Sequence, residues 1–368
     1  MKICAKWFVV AALAAFSVGS IAQVPVQAEP KLTVDAELSK LQMDSTGAMA
    51  KYMSDNKVVG MSVAIYRNGQ KVYAKSLGFS NREQAKLANE NTLYRYASVS
   101  KPIAATAAMM LWEKGKFSLD TDVRNYTTEW FPKPWPVTLR QVLSHTSGIR
   151  HYADGKQDNS STHYNDAKLP LQKFAMDPLL FEPGTKYSYS THAFTLLMRV
   201  IEMRVDKPYW VYMKSSFFPR ISPTLDCENL LVPKGNRSML YEKNATGVPV
   251  RETKWEDNSW KYAGGGMEGT ASDLAKFGQM MLAGALVKPS TRDIMWTPKT
   301  LKDGSKTTYG LGFGVNGNII SHSGAQQGAR SALRIDRGNN IVIAVLTNTG
   351  DNSPSDLAKI LNDIWKPK

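Results

Sequence analysis

Apolar and polar positions follow more than one rhythm along this chain. From Val34 to about Asp55, the residues Leu38, Leu41, Met49, Tyr52 and Met53 recur at helical spacing with charged residues between them, which predicts an amphipathic helix. Met61 to Tyr66 and Lys71 to Leu77 read as two strands flanking Asn68-Gly69, a dipeptide that accepts the positive φ angles of a tight hairpin turn. Near the other end, Tyr309 to Val315, Asn318 to His322, Ser331 to Ile335 and Ile341 to Thr347 are strand-like runs, separated mostly by Gly- and Asn-bearing turns. Ser353-Pro354-Ser355-Asp356 predicts the start of a last helix reaching about Trp365. Proline is tolerated in its first turn, and serine is expected to accept an orphan backbone N–H. Strands at both ends, each with a helix outside, predict one antiparallel sheet built from the two halves of an α/β (α+β) lobe, about 29–80 and 306–368. The middle, about 81–305, carries helical stretches at Ile103 to Lys114, Thr191 to Met203 and Ala271 to Leu282, joined by Pro-, Asn- and Ser-rich loops. An inserted, mainly helical lobe follows, with a cleft where the lobes meet, a preferred place for chemistry.

The first 28 residues have a different character. Lys2 and Lys6 precede an apolar run from Trp7 to Phe16, then small and polar residues and Val26-Gln27-Ala28. This is the pattern of a secretory signal peptide cut near Ala28, leaving 29–368 as the working domain. The apolar run is about half of the ~20 residues a membrane span needs. The mature chain is therefore expected to be exported, periplasmic or secreted from a bacterium, without an integral membrane segment. Cleavage would remove Cys4 and leave Cys227, so no internal disulfide is expected, and Cys227 reads as a small buried hydrophobe. The formal charge is +14, from 46 Lys+Arg against 32 Asp+Glu. These basic residues do not cluster, so nucleic acid is not an expected partner. The diffuse positive field favours solubility and would attract anionic envelope polymers.

Candidate chemistry narrows quickly. The five histidines, His145, His151, His163, His192 and His322, lack metal-site spacing, and no thiolate cluster is available, so no metal is expected. Gly312-Phe-Gly314-Val-Asn-Gly317 matches a dinucleotide fingerprint but leads into a strand where that site needs a helix N-terminus, so no cofactor is expected. No Gly-x-Ser-x-Gly elbow is present. Ser98-Val99-Ser100-Lys101 remains, just before the apolar stretch from Ile103 to Trp112. With Ser98 at a helix start, Lys101 falls one turn later on the same face. Burial and the helix N-terminus would both disfavour its ammonium form, leaving a neutral amine beside a serine hydroxyl.

Three segments stand in a telling order: Ser98-Val-Ser-Lys101, Tyr189-Ser190-Thr191 after Glu182-Pro-Gly184, and His322-Ser323-Gly324. In order and approximate spacing they resemble the three motifs of the penicillin-recognising serine hydrolases, the class C β-lactamase-related (peptidase S12-like) group in particular. Leu143-Ser-His-Thr-Ser-Gly-Ile149, Ala263-Gly-Gly-Gly-Met267 with Ala271-Ser-Asp-Leu274, and Tyr309-Gly-Leu-Gly-Phe-Gly314 add to the resemblance, which runs from about residue 45 to the C-terminus. The motifs look most like those of the mitochondrial β-lactamase-like serine protease and its bacterial relatives. The resemblance implies a β-lactamase/transpeptidase-like fold and an acyl-enzyme mechanism needing no metal or cofactor. In it Ser98 attacks a carbonyl, Lys101 activates it and Tyr189 relays a proton. It also implies an oxyanion hole from the N–H groups of Ser98 and Ala325, close approach to the substrate at Gly324, and substrate contacts from Thr191 and His322.

Two departures bear on the substrate. The third motif opens with His322 where true β-lactamases usually have lysine, and the second ends in Thr191 where they usually have asparagine. Both favour an ester- or amide-cleaving hydrolase acting on a small-molecule or peptide-like acyl substrate over an efficient β-lactamase. The alternative is a cell-envelope acyl- or β-lactam-binding sensor of the same fold with little turnover. His145 and His151 read as structural, and Asp273 as a cap or packing partner for the helix after the triple glycine.

Overall fold

The computed structural model describes residues 36–152 and 161–367; the expected signal peptide, Cys4 and the Val34 start of the first helix lie outside the described residues. The chain begins its described part with the helix Ala36–Asp55 and the hairpin Gly60–Arg67 and Gln70–Asn81. The turn falls where the sequence predicts it, with Asn68 and Gly69 at φ of 52° and 86°. Strand Gly60–Arg67 then pairs antiparallel with Ile341–Thr347, Met61 opposite Thr347, so both ends of the chain meet in one seven-stranded sheet. Its order is Lys86–Leu87, Gln70–Asn81, Gly60–Arg67, Ile341–Thr347, Ala329–Asp336, Ile319–Gln326 and Gly314–Asn316.

Alternation across this sheet separates two cores. Val63, Ile65, Ile343 and Val345 face the first helix and the last one, Pro354–Trp365, in a cluster completed by Met49, Leu361 and Trp365. Ala64, Val342, Ala344 and Leu346 face the opposite way, into the large cluster shared with the helices of the middle segment. The central helix there, Ser100–Glu113, is apolar nearly all round, and its residues from Ser100 to Leu111 are buried. Helices Thr191–Val205 and Ala271–Leu282 pack around it. The first is capped by the Ser190 hydroxyl and the second by a Thr270/Asp273 box, so Asp273 is the cap expected from sequence. A small sheet, Tyr94–Arg95, Met267–Gly269 and Asp226–Cys227, backs the turn leading into Ser98. Cys227 is buried there, and burial pushes its thiol pKa well up.

Two local expectations are corrected. Only Gly314–Asn316 of the run Tyr309–Val315 forms a strand. The rest bends to lie on neighbouring backbone: a Cβ at Gly310 would strike the Met295 carbonyl, and Gly312, at φ 82°, has no room for one against Ala105. Ser353 does not cap the last helix with its hydroxyl; its backbone carbonyl accepts from Asp356 N–H, and Pro354 removes one orphan donor.

Candidate active site

The three motifs converge on one point. Within the run Thr92 to Ser100, Ser98 is the residue that is not buried. It sits in a 3-10 turn, Ala97–Val99, one residue ahead of the helix Ser100–Glu113, and Ala97 holds a left-handed φ of 48°. A non-glycine residue in that region is strained, and the strain here is local to the turn that presents Ser98.

Lys101 follows one turn later and is completely buried. Its Nζ lies 3.2 Å from Ser98 Oγ, 3.1 Å from Thr191 Oγ1 and 2.6 Å from the Gly264 carbonyl oxygen. The amine also stands 4.7 Å from the Tyr189 ring centre and 5.7 Å from that of Phe194. Burial lowers its pKa well below the usual lysine range, and repulsion from the nearby Lys261 adds to the effect. The sequence foresaw burial but gave no sign of Lys261, which has no periodic or motif context.

Tyr189 precedes helix Thr191–Val205 and faces Ser98. Burial pushes its phenol pKa far above the ordinary value, although the Ser98 hydroxyl beside it acts in the opposite sense. Thr191, expected on the substrate, is buried with its hydroxyl on Lys101. The approach of Gly264 to this helix needs a glycine, since a Cβ there would come within 2.8 Å of the Thr191 methyl group.

His322, Gly324 and Ala325 lie on strand Ile319–Gln326. Its outer neighbour pairs only with Ile319 to Ser321, so the rest of that edge is unpaired on this side. Gly324 faces the chain's own nucleophile turn: a Cβ would stand 2.5 Å from the Tyr96 carbonyl oxygen and 2.9 Å from Ser98 N, and would also collide with Ser331. The expected reason for this glycine was close approach of substrate; the observed one is close approach of Ser98. His322 has both nitrogens engaged. Nδ1–H donates to the Ser323 carbonyl at 2.7 Å and Nε2 accepts from the Tyr309 hydroxyl at 2.8 Å. Burial, helped by Lys101 whenever that amine carries a proton, brings its pKa down to about 3, so it is a neutral imidazole at ordinary pH. Tyr309 as its partner was not legible in the sequence, where the segment reads as a strand.

His145 and His151 serve the second motif through non-local bonds, accepting from Ser190 N–H and Thr191 N–H, each at 3.1 Å. Among the described residues no group of three or more His, Cys, Asp or Glu side chains could hold a metal ion, and no helix is long and apolar enough to cross a membrane.

A serine hydroxyl, a buried amine and a phenol thus meet at the start of the central helix, beside strand Ile319–Gln326. A family model for Beta-lactamase matches residues 46–363, and the chain belongs to that family of serine hydrolases. It is 29% identical to the serine beta-lactamase-like protein LACTB, mitochondrial, of Homo sapiens, over 76% of this chain and 68% of that one. It is 25% identical to esterase EstB of Burkholderia gladioli, over 86% and 92%. Its fold is similar to that of the octameric penicillin-binding protein homologue from Pyrococcus abyssi, with a TM-score of 0.74, 23% identity and 88% and 76% of the two chains covered.

Proposed function

We propose that this chain cleaves a neutral ester or amide through an acyl-enzyme on Ser98. The observation that carries the reading is the buried Lys101 amine 3.2 Å from the accessible Ser98 hydroxyl. As a neutral amine, Lys101 donates two N–H groups to Thr191 Oγ1 and the Gly264 carbonyl and keeps its lone pair for the Ser98 proton. Ser98 Oγ attacks the substrate carbonyl while that proton moves to Lys101. The N–H groups of Ser98 and Ala325 hold the resulting oxyanion, an arrangement in which each donor is worth roughly 3–4 kcal/mol in comparable enzymes. Collapse breaks the bond to the alcohol or amine, which leaves with the proton that Lys101 took from Ser98, passed by way of the Tyr189 hydroxyl, so Lys101 is again neutral. Water then attacks the acyl-enzyme with Lys101 accepting its proton, and as the ester bond to Ser98 breaks Lys101 returns that proton to Ser98 Oγ, restoring the hydroxyl and the neutral amine.

A neutral His322 supplies no fixed charge for a substrate carboxylate, which favours an uncharged acyl group over a β-lactam. Esterase EstB is a relative consistent with ester cleavage. The N-terminal pattern of Lys2, Lys6 and the apolar run from Trp7 to Phe16 supports export, which N-terminal sequencing of the mature protein checks. The activity is tested with a fluorophosphonate probe and a chromogenic short-chain ester. Wild type should be labelled at Ser98 and turn over the ester, and Ser98→Ala should lose both, turnover falling by at least about 10³-fold. Labelling at another serine would refute the assignment. Stoichiometric labelling without turnover would mark a sensor.

A further inference from the structure

His145 is not one of the residues that touch the reacting atoms, yet the second motif is built on it. Its backbone carbonyl accepts from Ser188 N–H at 2.8 Å, and its Nδ1 accepts from Ser190 N–H at 3.1 Å, so a single residue holds the chain immediately before and immediately after Tyr189. The imidazole packs against the Tyr189 ring with centres 4.3 Å apart, and against Tyr309, the partner of His322, at 4.8 Å. It is completely buried, its backbone is left-handed at φ 56°, and its Nε2 has no hydrogen-bond partner among the described residues. A buried N–H without an acceptor and a strained backbone both oppose folding, so histidine is a poor choice here for stability alone.

We propose that His145 is a positioning residue for Tyr189, clamping both of its neighbours and its ring so that the phenol stays on Ser98. The chemistry fixes the tautomer. A backbone N–H can only donate, so Nδ1 must present its lone pair to Ser190, and the ring proton sits on Nε2. Burial lowers the His145 pKa well below the usual histidine value, which favours the neutral ring. A neutral ring keeps the Nδ1 lone pair available to Ser190. The inference rests on the proposed acyl-enzyme chemistry only where it makes Tyr189 a proton carrier.

Two substitutions separate the parts of the clamp. His145→Phe keeps an aromatic ring against Tyr189 but leaves Ser190 N–H without an acceptor. His145→Asn places an oxygen near the Nδ1 position and suits left-handed backbone. On the chromogenic ester, His145→Phe should lower kcat at least tenfold with KM within about twofold, and His145→Asn should recover most of that loss. Wild-type kcat in His145→Phe, or equal losses in both variants, would overturn the proposal. Should either variant fail to fold, nitrogen-15 histidine spectra of the wild-type protein decide: a non-titrating Nε2–H tautomer for His145 from pH 5 to pH 9 is expected, and protonation on Nδ1 would refute the clamp. Fluorophosphonate labelling of Ser98 in wild type reports separately on the acyl-enzyme reading. A labelled, active wild type with an indifferent His145→Phe removes this inference alone, whereas an unlabelled Ser98 removes the reading while the histidine spectrum still reports on the clamp.

Discussion

Burial acts on Lys101 and Tyr189 in opposite senses, because it disfavours the charged form of each: ammonium for one, phenolate for the other. In the proposed mechanism this makes the amine, rather than the phenol, the group that takes the first proton, with Tyr189 as the carrier. Around Lys101 stand Ser98, Thr191, the Gly264 carbonyl, Tyr189, Phe194 and the neutral histidines 145 and 322, and Lys261 is the cation that acts on it. Activity should fall on acidification as Lys101 gains a proton. Removing the Lys261 charge raises the Lys101 pKa, so Lys261→Met should move that acid limb of kcat/KM toward higher pH; a limb that stays put would show that the charge is not felt. His322 contributes no limb between pH 5 and pH 8, since its folded-state pKa is about 3. His322→Lys would bury a second ammonium beside Lys101 and leave the Tyr309 hydroxyl without its acceptor. Ester turnover is expected to drop at least tenfold without any gain on a chromogenic cephalosporin. Faster cephalosporin hydrolysis with an unchanged ester rate would mean that the cleft reads carboxylates after all.

Glycines set the distances between the elements that carry the site. Gly324→Ala would drive a methyl group into the Tyr96 carbonyl and Ser98 N, both backbone, so neither can turn aside as a side chain would. The strand must lift off the nucleophile turn, which should cost about 1–3 kcal/mol of stability and move the Ala325 N–H away from the oxyanion. Chemical denaturation and ester kinetics together check this, with kcat expected to fall by about 10²-fold; a stable and fully active variant would show that the contact is not needed. The elements themselves were largely legible. Alternating apolar residues and Asn68-Gly69 gave the hairpin, and the apolar run after Lys101 gave the buried helix. The contacts between elements were not. Tyr309 meeting His322, Lys261 acting on Lys101 and His145 bracketing Tyr189 join residues 13, 160 and 44 positions apart, and local periodicity carries no information about such pairs.

At the scale of the whole molecule, the sheet divides labour between its faces. The face packed by the first and last helices buries Met49, Leu361 and Trp365, whereas His322 and Gly324 share the opposite face of their strand with Ile320 of the large cluster. Trp365 is the main anchor on the stabilising side. It is 1% exposed, its indole N–H donates to Ser45 Oγ at 2.9 Å, and its ring lies 6.5 Å from that of Tyr73, so it ties the two chain ends together. Trp365→Ala should cost about 3–5 kcal/mol, a large part of the roughly 5–15 kcal/mol that holds an ordinary domain folded. The site is built on strands whose partners across the sheet are unchanged, so kcat per fluorophosphonate-labelled Ser98 should stay within about twofold of wild type at a temperature where the variant is folded. A tenfold loss per labelled site would show that packing behind the sheet sets the position of strand Ile319–Gln326, and that the two faces are not energetically separate.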